Sequence, residues 1–212
     1  MRQAYEAVGL SVPARERLLA IVGLSLPDAF RRLSQGEKSA ATHPVDGLVA
    51  HYKAAFAALR QSPEHLEPLY PGARDALDAL GAQPGVVLGI ATGKSQRGVR
   101  AVLERHGLSA RFATIQTSDD APSKPHPGMV LAAMRETGAL PHDTVVVGDT
   151  VFDVEMARAA GARAIGVAWG YHPAQALRDA GANAMITDFS ELAGALARLW
   201  AAPPVAERLA AT

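Results

Sequence analysis

The stretch Val145-Val146-Val147-Gly148-Asp149-Thr150-Val151-Phe152-Asp153 constrains this chain more than any other. Three β-branched apolar residues in a row, with no polar alternation, read as a strand buried on both faces. Gly148 ends the strand in a sharp turn, and a helix is expected over Val154 to Ala160. Asp149 and Asp153 then stand four residues apart across that turn. Two carboxylates at the end of a buried strand are costly to hold near each other unless a cation or basic group compensates them. Hard divalent cations such as Mg²⁺ prefer this oxygen-rich setting. A plain strand-to-helix loop, with Asp149 as an ordinary N-cap, accounts for the same residues. The stretch alone does not separate the two.

The remaining chain frames that turn. Residues 1 to about 68 read as all-helical. Met1, Tyr5 and Val8 share one face before Gly9; a second helix is expected from Pro13, with Leu18, Leu19 and Val22 apolar, ending at Gly23. Ser25 is the predicted N-cap of a third helix carrying Leu26, Ala29, Phe30 and Leu33. A loop at Thr42 to Pro44 and a helix over Asp46 to Arg60 follow, and Pro63 and Pro68 bracket a linker.

From Tyr70 the pattern changes. Strands are predicted at Val86–Ala91, Ala113–Thr117, Thr144–Val147, Ala164–Ala168 and Ala184–Thr187. Helices alternate with them: one opened by Pro71-Gly72, then Ser95–His106, Pro127–Thr137, the helix after Asp153, Pro173–Asp179 and Ser190–Trp200. Such alternation implies an α/β fold, a Rossmann-like parallel sheet with helices on both faces. The expected division is a helical domain over 1–68, an α/β core over 69–202 and a tail over 203–212. Ligands of such sheets sit at the carboxyl ends of the strands.

Composition narrows the chemistry. Lys plus Arg and Asp plus Glu both number 21, so the formal charge is zero. Nothing in that balance favours nucleic acid or an anionic membrane as partner. There is no cysteine, which excludes disulfides and thiolate chemistry. No apolar run is long enough to span a bilayer and Met1–Glu6 is no secretory signal, so the cytoplasm is the default location.

Three strand ends carry polar groups in order: Thr92-Gly93-Lys94, then Ser123-Lys124-Pro125, then Gly148-Asp149-Thr150 with Asp153. A hydroxyl and a backbone N–H at Thr92-Gly93, opening a helix, suit a phosphate oxygen. Lys124 adds a point cation, and Asp149 and Asp153 can hold Mg²⁺. Together they would stabilise a transferring phosphoryl group by electrostatics and positioning. Singly, Thr92 is better explained as a helix cap and Lys124 as a surface lysine; the ordered set is not.

In Ile90-Ala91-Thr92-Gly93-Lys94, Asp120-Ala121-Pro122-Ser123-Lys124-Pro125-His126-Pro127 and Val147 to Asp153, the chain resembles the haloacid dehalogenase superfamily. The likeness is to its phosphoglycolate-phosphatase-like branch, whose helical cap matches the segment before Pro71. The resemblance implies a Mg²⁺-dependent phosphatase acting on a small phosphorylated metabolite, as a monomer or homodimer. It implies that Thr92 and Gly93 bind the phosphoryl group, that Lys124 steadies it, and that Asp149 ligates Mg²⁺ with Asp153 in support, directly or through water. Phosphoglycolate is one candidate substrate, with sugar phosphates and pyrophosphate as alternatives.

One element of the family pattern has no counterpart. Its first motif, Asp-x-Asp-x-Thr at the end of the first, central strand, provides the nucleophile and the general acid–base. No Asp-x-Asp occurs in this sequence, and the adjacent Asp119 and Asp120 read as loop residues. That strand would lie between those at Val86 and Thr144. Its absence removes about 6–15 kcal/mol of apolar burial, if four or five large side chains are involved, and leaves two sheet edges unpaired. The expectation is therefore a natural protein longer by a strand and a turn upstream, and a chain inactive as written. Competing readings are a catalytically silent phosphate or partner binder and a sugar phosphomutase of the same architecture. His126, His172 and Arg97 read as structural or solvent-facing, with His172 a lesser candidate for touching substrate. Leu24-Ser25-Leu26 is a candidate for substrate choice by family analogy alone.

Overall fold

The computed structural model describes residues 1–35, 44–61 and 67–201. The expected loop at Thr42, the linker around Pro63 and the tail from residue 203 lie outside the described residues. The chain divides into two units, Met1–Pro68 and Leu69–Thr212.

The first unit contains α1 (Arg2–Ala7), α2 (Arg15–Leu19), α3 (Leu26–Ser34) and α4 (Val45–Gln61), and no strand among the described residues. Ser25 caps α3: its Oγ accepts from the Asp28 N–H and donates to the Asp28 carboxylate. Ala29, Phe30 and Leu33 then fall on one face and bury against Ala4, Tyr5 and Leu48. Phe30 is the hub, 5.9 Å from the Tyr5 ring and 6.4 Å from Tyr52 in an edge-on contact. The predicted helix from Pro13 shrinks to the five residues of α2, none of them buried. A helix this short depends on packing for stability, and the chain instead sends Ile21, beyond its end, into the core.

The second unit runs α5 (Ala73–Gly81), β1 (Gly89–Thr92), α6 (Gln96–Arg105), β2 (Thr114–Thr117), α7 (Gly128–Thr137), β3 (Val145–Gly148), α8 (Val151–Ala159), β4 (Arg163–Val167), α9 (Ala174–Asp179), β5 (Ala184–Ile186) and α10 (Leu192–Ala201). Every strand pair is parallel, with Ile90 opposite Ile115, Val146 opposite Ala164 and Gly166 opposite Met185. Alternate residues of the strands serve opposite faces, as the pleat requires. Ala91, Val146 and Ala164 pack on the face of α7, α8 and α9. Val145, Ile165, Val167 and Ile186 pack with α5 and α10, and Ile90 and Ile115 with α6. The α/β architecture with helices on both faces is therefore as the sequence predicts.

The strands pair as two sheets, β1–β2 and β3–β4–β5, so β1 and β3 each have one strand neighbour among the described residues, in keeping with the two unpaired edges expected from the missing strand. Two details differ. The apolar run at Val86 becomes a strand only from Gly89, because its partner β2 starts at Thr114; Val87 stays 54% exposed. β3 is not buried throughout: Val145 and Val146 each reach a helical layer, but Val147, nearer the carboxyl end, keeps 39% of its surface. Among the described residues no helix is long and apolar enough to cross a membrane.

Candidate active site

The helix after β3 begins at Val151, three residues earlier than the apolar pattern predicts, because Thr150 and Asp153 form a capping box. The Thr150 N–H and hydroxyl both donate to Asp153 Oδ2, at 3.1 and 2.6 Å, and the Asp153 N–H returns to Thr150 Oγ1 at 3.4 Å. Gly148 makes this fold-back feasible, since a Cβ there would stand 2.3 Å from the Asp153 Cβ. The other carboxylate oxygen, Oδ1, accepts from Lys124 Nζ at 2.5 Å. Both side chains of this ion pair are buried, with 8% and 7% of their surface exposed. A pair so far from water persists only when both charges are matched and hydrogen-bonded. Lys124 sits on the segment leading from β2 and Asp153 on the helix after β3, so the pair ties the end of one sheet to the end of the other.

Asp149 has different partners. It is half-buried at the carboxyl end of β3. The turn after β4 folds over it: the Tyr171 N–H donates to Oδ2 at 3.0 Å and the His172 N–H to the Asp149 carbonyl at 3.2 Å. No donor among the described residues reaches Oδ1. Of the two aspartates, then, Asp153 is engaged by an ammonium and a helix cap, while Asp149 keeps an oxygen available. Among the described residues no three acidic or imidazole groups gather into a metal cage. Mg²⁺ does not need one, since it is commonly held by one or two carboxylates together with waters and phosphate oxygens. The donor set at Asp149 fits that use.

Thr92 ends β1, and its Oγ1 accepts from the Lys94 N–H at 3.2 Å. Ser95 then caps α6 through the Gly98 N–H. The turn is braced from the β2 side: Ser118 Oγ donates to the Gly93 carbonyl at 3.0 Å, and the Gln96 N–H donates to Asp119 at 2.8 Å. Gln96 Nε2 donates to Asp120, whose carboxylate also accepts from Thr117. The Thr117 hydroxyl first, and Gln96 next, hold the Asp120 carboxyl below the usual carboxylate range. Asp119 and Asp120 are thus loop braces. Their place in a loop was legible in the sequence but not what they hold; two adjacent acids in the loop before Lys124 are the only signal, and a weak one.

Thr92 makes no hydrogen bond or ion pair with Lys124, Asp149 or Asp153. A recess of about 150 Å³ beside it is lined by Ile90, Thr92, Lys94 and three apolar residues of α6, and not by the other three site residues. What β1 and β3 share is their support: Ala91 and Val146 pack on the same α7–α8 core. The lesser candidates take structural places. His126 and Arg97 are exposed, and His126 Nδ1 accepts from the Gly128 N–H at 3.0 Å. His172 is buried, its Nδ1 accepting from the Val151 N–H at 3.2 Å. Ser25 of Leu24-Ser25-Leu26 is occupied as the cap of α3.

Comparison with known proteins points one way. A family model described as haloacid dehalogenase-like hydrolase matches residues 1–167. The chain is 37% identical over 191 residues to the protein named probable phosphatase IndB of Dickeya dadantii, covering 88% of this chain and 80% of that one. It is 32% identical over 144 residues to a phosphoglycolate phosphatase of Pseudomonas putida, covering 68% of this chain and 52% of the relative. It thus spans about half the length of that relative. Among solved structures, a hydrolase from Pseudomonas syringae superposes with a TM-score of 0.76 at 25% identity, over 93% of this chain and 88% of that one.

Proposed function

This chain belongs to the haloacid dehalogenase-like hydrolase family, and from that premise we propose that its site handles the phosphoryl group of a small phosphomonoester with the help of Mg²⁺. The observation that carries the reading is the division of labour at the end of β3. One aspartate is neutralised by the buried Lys124, and its neighbour across the turn keeps a carboxylate oxygen open. Phosphoglycolate is the leading substrate, in keeping with the named activity of the Pseudomonas putida relative.

Each residue's task follows from its surroundings. Asp149, through Oδ1, would hold Mg²⁺, which when bound offsets charge on phosphoryl oxygens. Lys124, fixed by Asp153, presents an ammonium whose remaining N–H groups can reach a phosphoryl oxygen without reorganising. Asp153 fixes the direction of that lysine, since its Oδ1 accepts from Nζ inside the buried pair. Thr92 supplies a hydroxyl and Gly93 a backbone N–H at the start of α6. The attacking carboxylate of the family's first motif is not among these residues, since no Asp-x-Asp occurs in the sequence.

That last point gives the test. Phosphate release from p-nitrophenyl phosphate and from phosphoglycolate should require Mg²⁺, stop with EDTA, and occur in a form carrying an Asp-x-Asp-x-Thr strand ahead of Met1. The 212-residue chain should bind Mg²⁺ without turnover. Hydrolysis by the 212-residue chain would overturn the nucleophile assignment; metal-independent behaviour of both forms would overturn the reading altogether. A catalytically silent phosphate binder is the second reading, favoured by the same missing motif, and inactivity of both forms with retained Mg²⁺ binding would establish it.

A further inference from the structure

We propose that the turn between β4 and α9, Trp169 to His172, is a positioning device for the Asp149 carboxylate, and that Nδ1 of His172 is the atom on which it pivots. The proposal rests on the reading of Asp149 as the cation ligand. Three backbone N–H groups lace the two turns together. Tyr171 donates to Asp149 Oδ2 at 3.0 Å, His172 to the Asp149 carbonyl at 3.2 Å, and Val151 to His172 Nδ1 at 3.2 Å.

The consequence is geometric. A carboxylate on a short side chain otherwise rotates freely about its last bond. With Oδ2 pinned by a main-chain donor, the direction of Oδ1 is set before any ligand arrives. Partners of this kind orient metal ligands and tune their affinity. The Val151 N–H belongs to the first turn of α8, where donors lack intrahelical acceptors. The capping box uses the N–H groups of Thr150 and Asp153, and His172 takes that of Val151. Nδ1 must be unprotonated to accept, so the ring carries its proton on Nε2. The ring plane is fixed by Phe152, 5.4 Å away and edge-on at 69°.

Gly170 shows how closely the turns meet. A Cβ there would stand 2.1 Å from the Asp149 Cβ and 2.7 Å from Oδ2. No larger residue admits this approach without displacing the aspartate. Asp149 is therefore held at carbonyl and carboxylate by one short segment that lies 20 or so residues away along the chain, and His172 links that segment to α8. This gives His172, 9% exposed, a task other than touching substrate.

Two substitutions at one position separate positioning from packing. His172→Asn places its amide oxygen near where Nδ1 stood and removes the ring. His172→Phe keeps a ring against Phe152 and removes the acceptor. The probe is Mn²⁺ alone, with affinity read from the paramagnetic resonance of the free ion on the 212-residue chain. His172→Phe should bind about 10–100-fold more weakly than wild type, the usual effect of losing an outer partner, and His172→Asn should stay within a few-fold of wild type. The reverse order, or no change in either variant, overturns the proposal while leaving the cation reading intact. A wild-type chain with no saturable Mn²⁺ site would remove the reading of Asp149 as ligand and this proposal with it. Should His172→Phe not fold, Gly170→Ala is the second probe: it drives a methyl group into Asp149 and should weaken Mn²⁺ to a similar degree. Undiminished affinity in that variant overturns the proposal too.

Discussion

Replacing Lys124 by Met should destabilise the second unit by about 3–5 kcal/mol, the range for breaking a buried ion pair on one side. The structure supports the lower part of that range. Met fills most of the lysine's volume, so packing loss is small. The Asp153 carboxylate, 7% exposed, is left without its ammonium but keeps the Thr150 N–H and hydroxyl on Oδ2. What is lost is the countercharge on Oδ1, and no other cation pairs with Asp153 among the described residues. Asp153→Asn makes the converse error and strands the buried ammonium. The double variant Lys124→Met with Asp153→Asn holds no buried charge and should recover about 2 kcal/mol relative to the sum of the single losses, within the range for contacting pairs. The assay is urea unfolding followed by tryptophan fluorescence. Both tryptophans, Trp169 and Trp200, lie in the second unit, so the signal reports on that unit. With a denaturant slope of about 2 kcal/mol per molar, a loss of about 3–4 kcal/mol should lower the midpoint of Lys124→Met by roughly 1.5–2 M. A fall of less than about 0.5 M, or a double variant showing no coupling, would refute the reasoning that this pair is a mutually dependent buried unit.

Two further outcomes follow from the same structure. Ser25→Ala should lower the stability of the first unit by about 1 kcal/mol through loss of the α3 cap, seen as a lower midpoint in far-ultraviolet circular dichroism; unchanged melting with an altered substrate preference would return Ser25 to the binding role the sequence suggested. Asp120 is held below the usual carboxylate range by Thr117 and Gln96, so its hydrogen bonds contribute above the unfolded value of about 3.9 and are lost as the pH falls through the lower folded value. The stability difference between wild type and Asp120→Asn, under about 1 kcal/mol for so exposed a group, should therefore be constant near neutrality and shrink as the pH falls below about 4; a difference that grows on acidification would show the sign to be wrong.

Most of the architecture was legible because its signals are local. Short apolar runs marked five strands, period-3.6 apolar spacing marked the major helices, and Ser25 and Ser95 cap the helices they precede. Boundaries slipped where a partner decides them. β1 begins where β2 begins, not where the apolar run does. The exposure of Val147 likewise depends on how far the covering helices reach, which no window of sequence contains. α8 starts early because Asp153 folds back onto Thr150, a contact that turned one half of a suspected carboxylate pair into a cap and a lysine's counter-ion.

The residue types at the strand ends, and so the kind of chemistry on offer, were determined by the sequence itself, since hydroxyls, ammoniums and carboxylates at turns carry their donors and acceptors wherever the chain goes. Which carboxylate oxygen remains open was decided by tertiary structure alone. Lys124, Tyr171 and His172 are remote from the Gly148–Asp153 turn along the chain, and hydrogen bonds form or fail over a few tenths of an ångström. That precision comes from how whole turns pack against one another, and spacing along a sequence does not encode it.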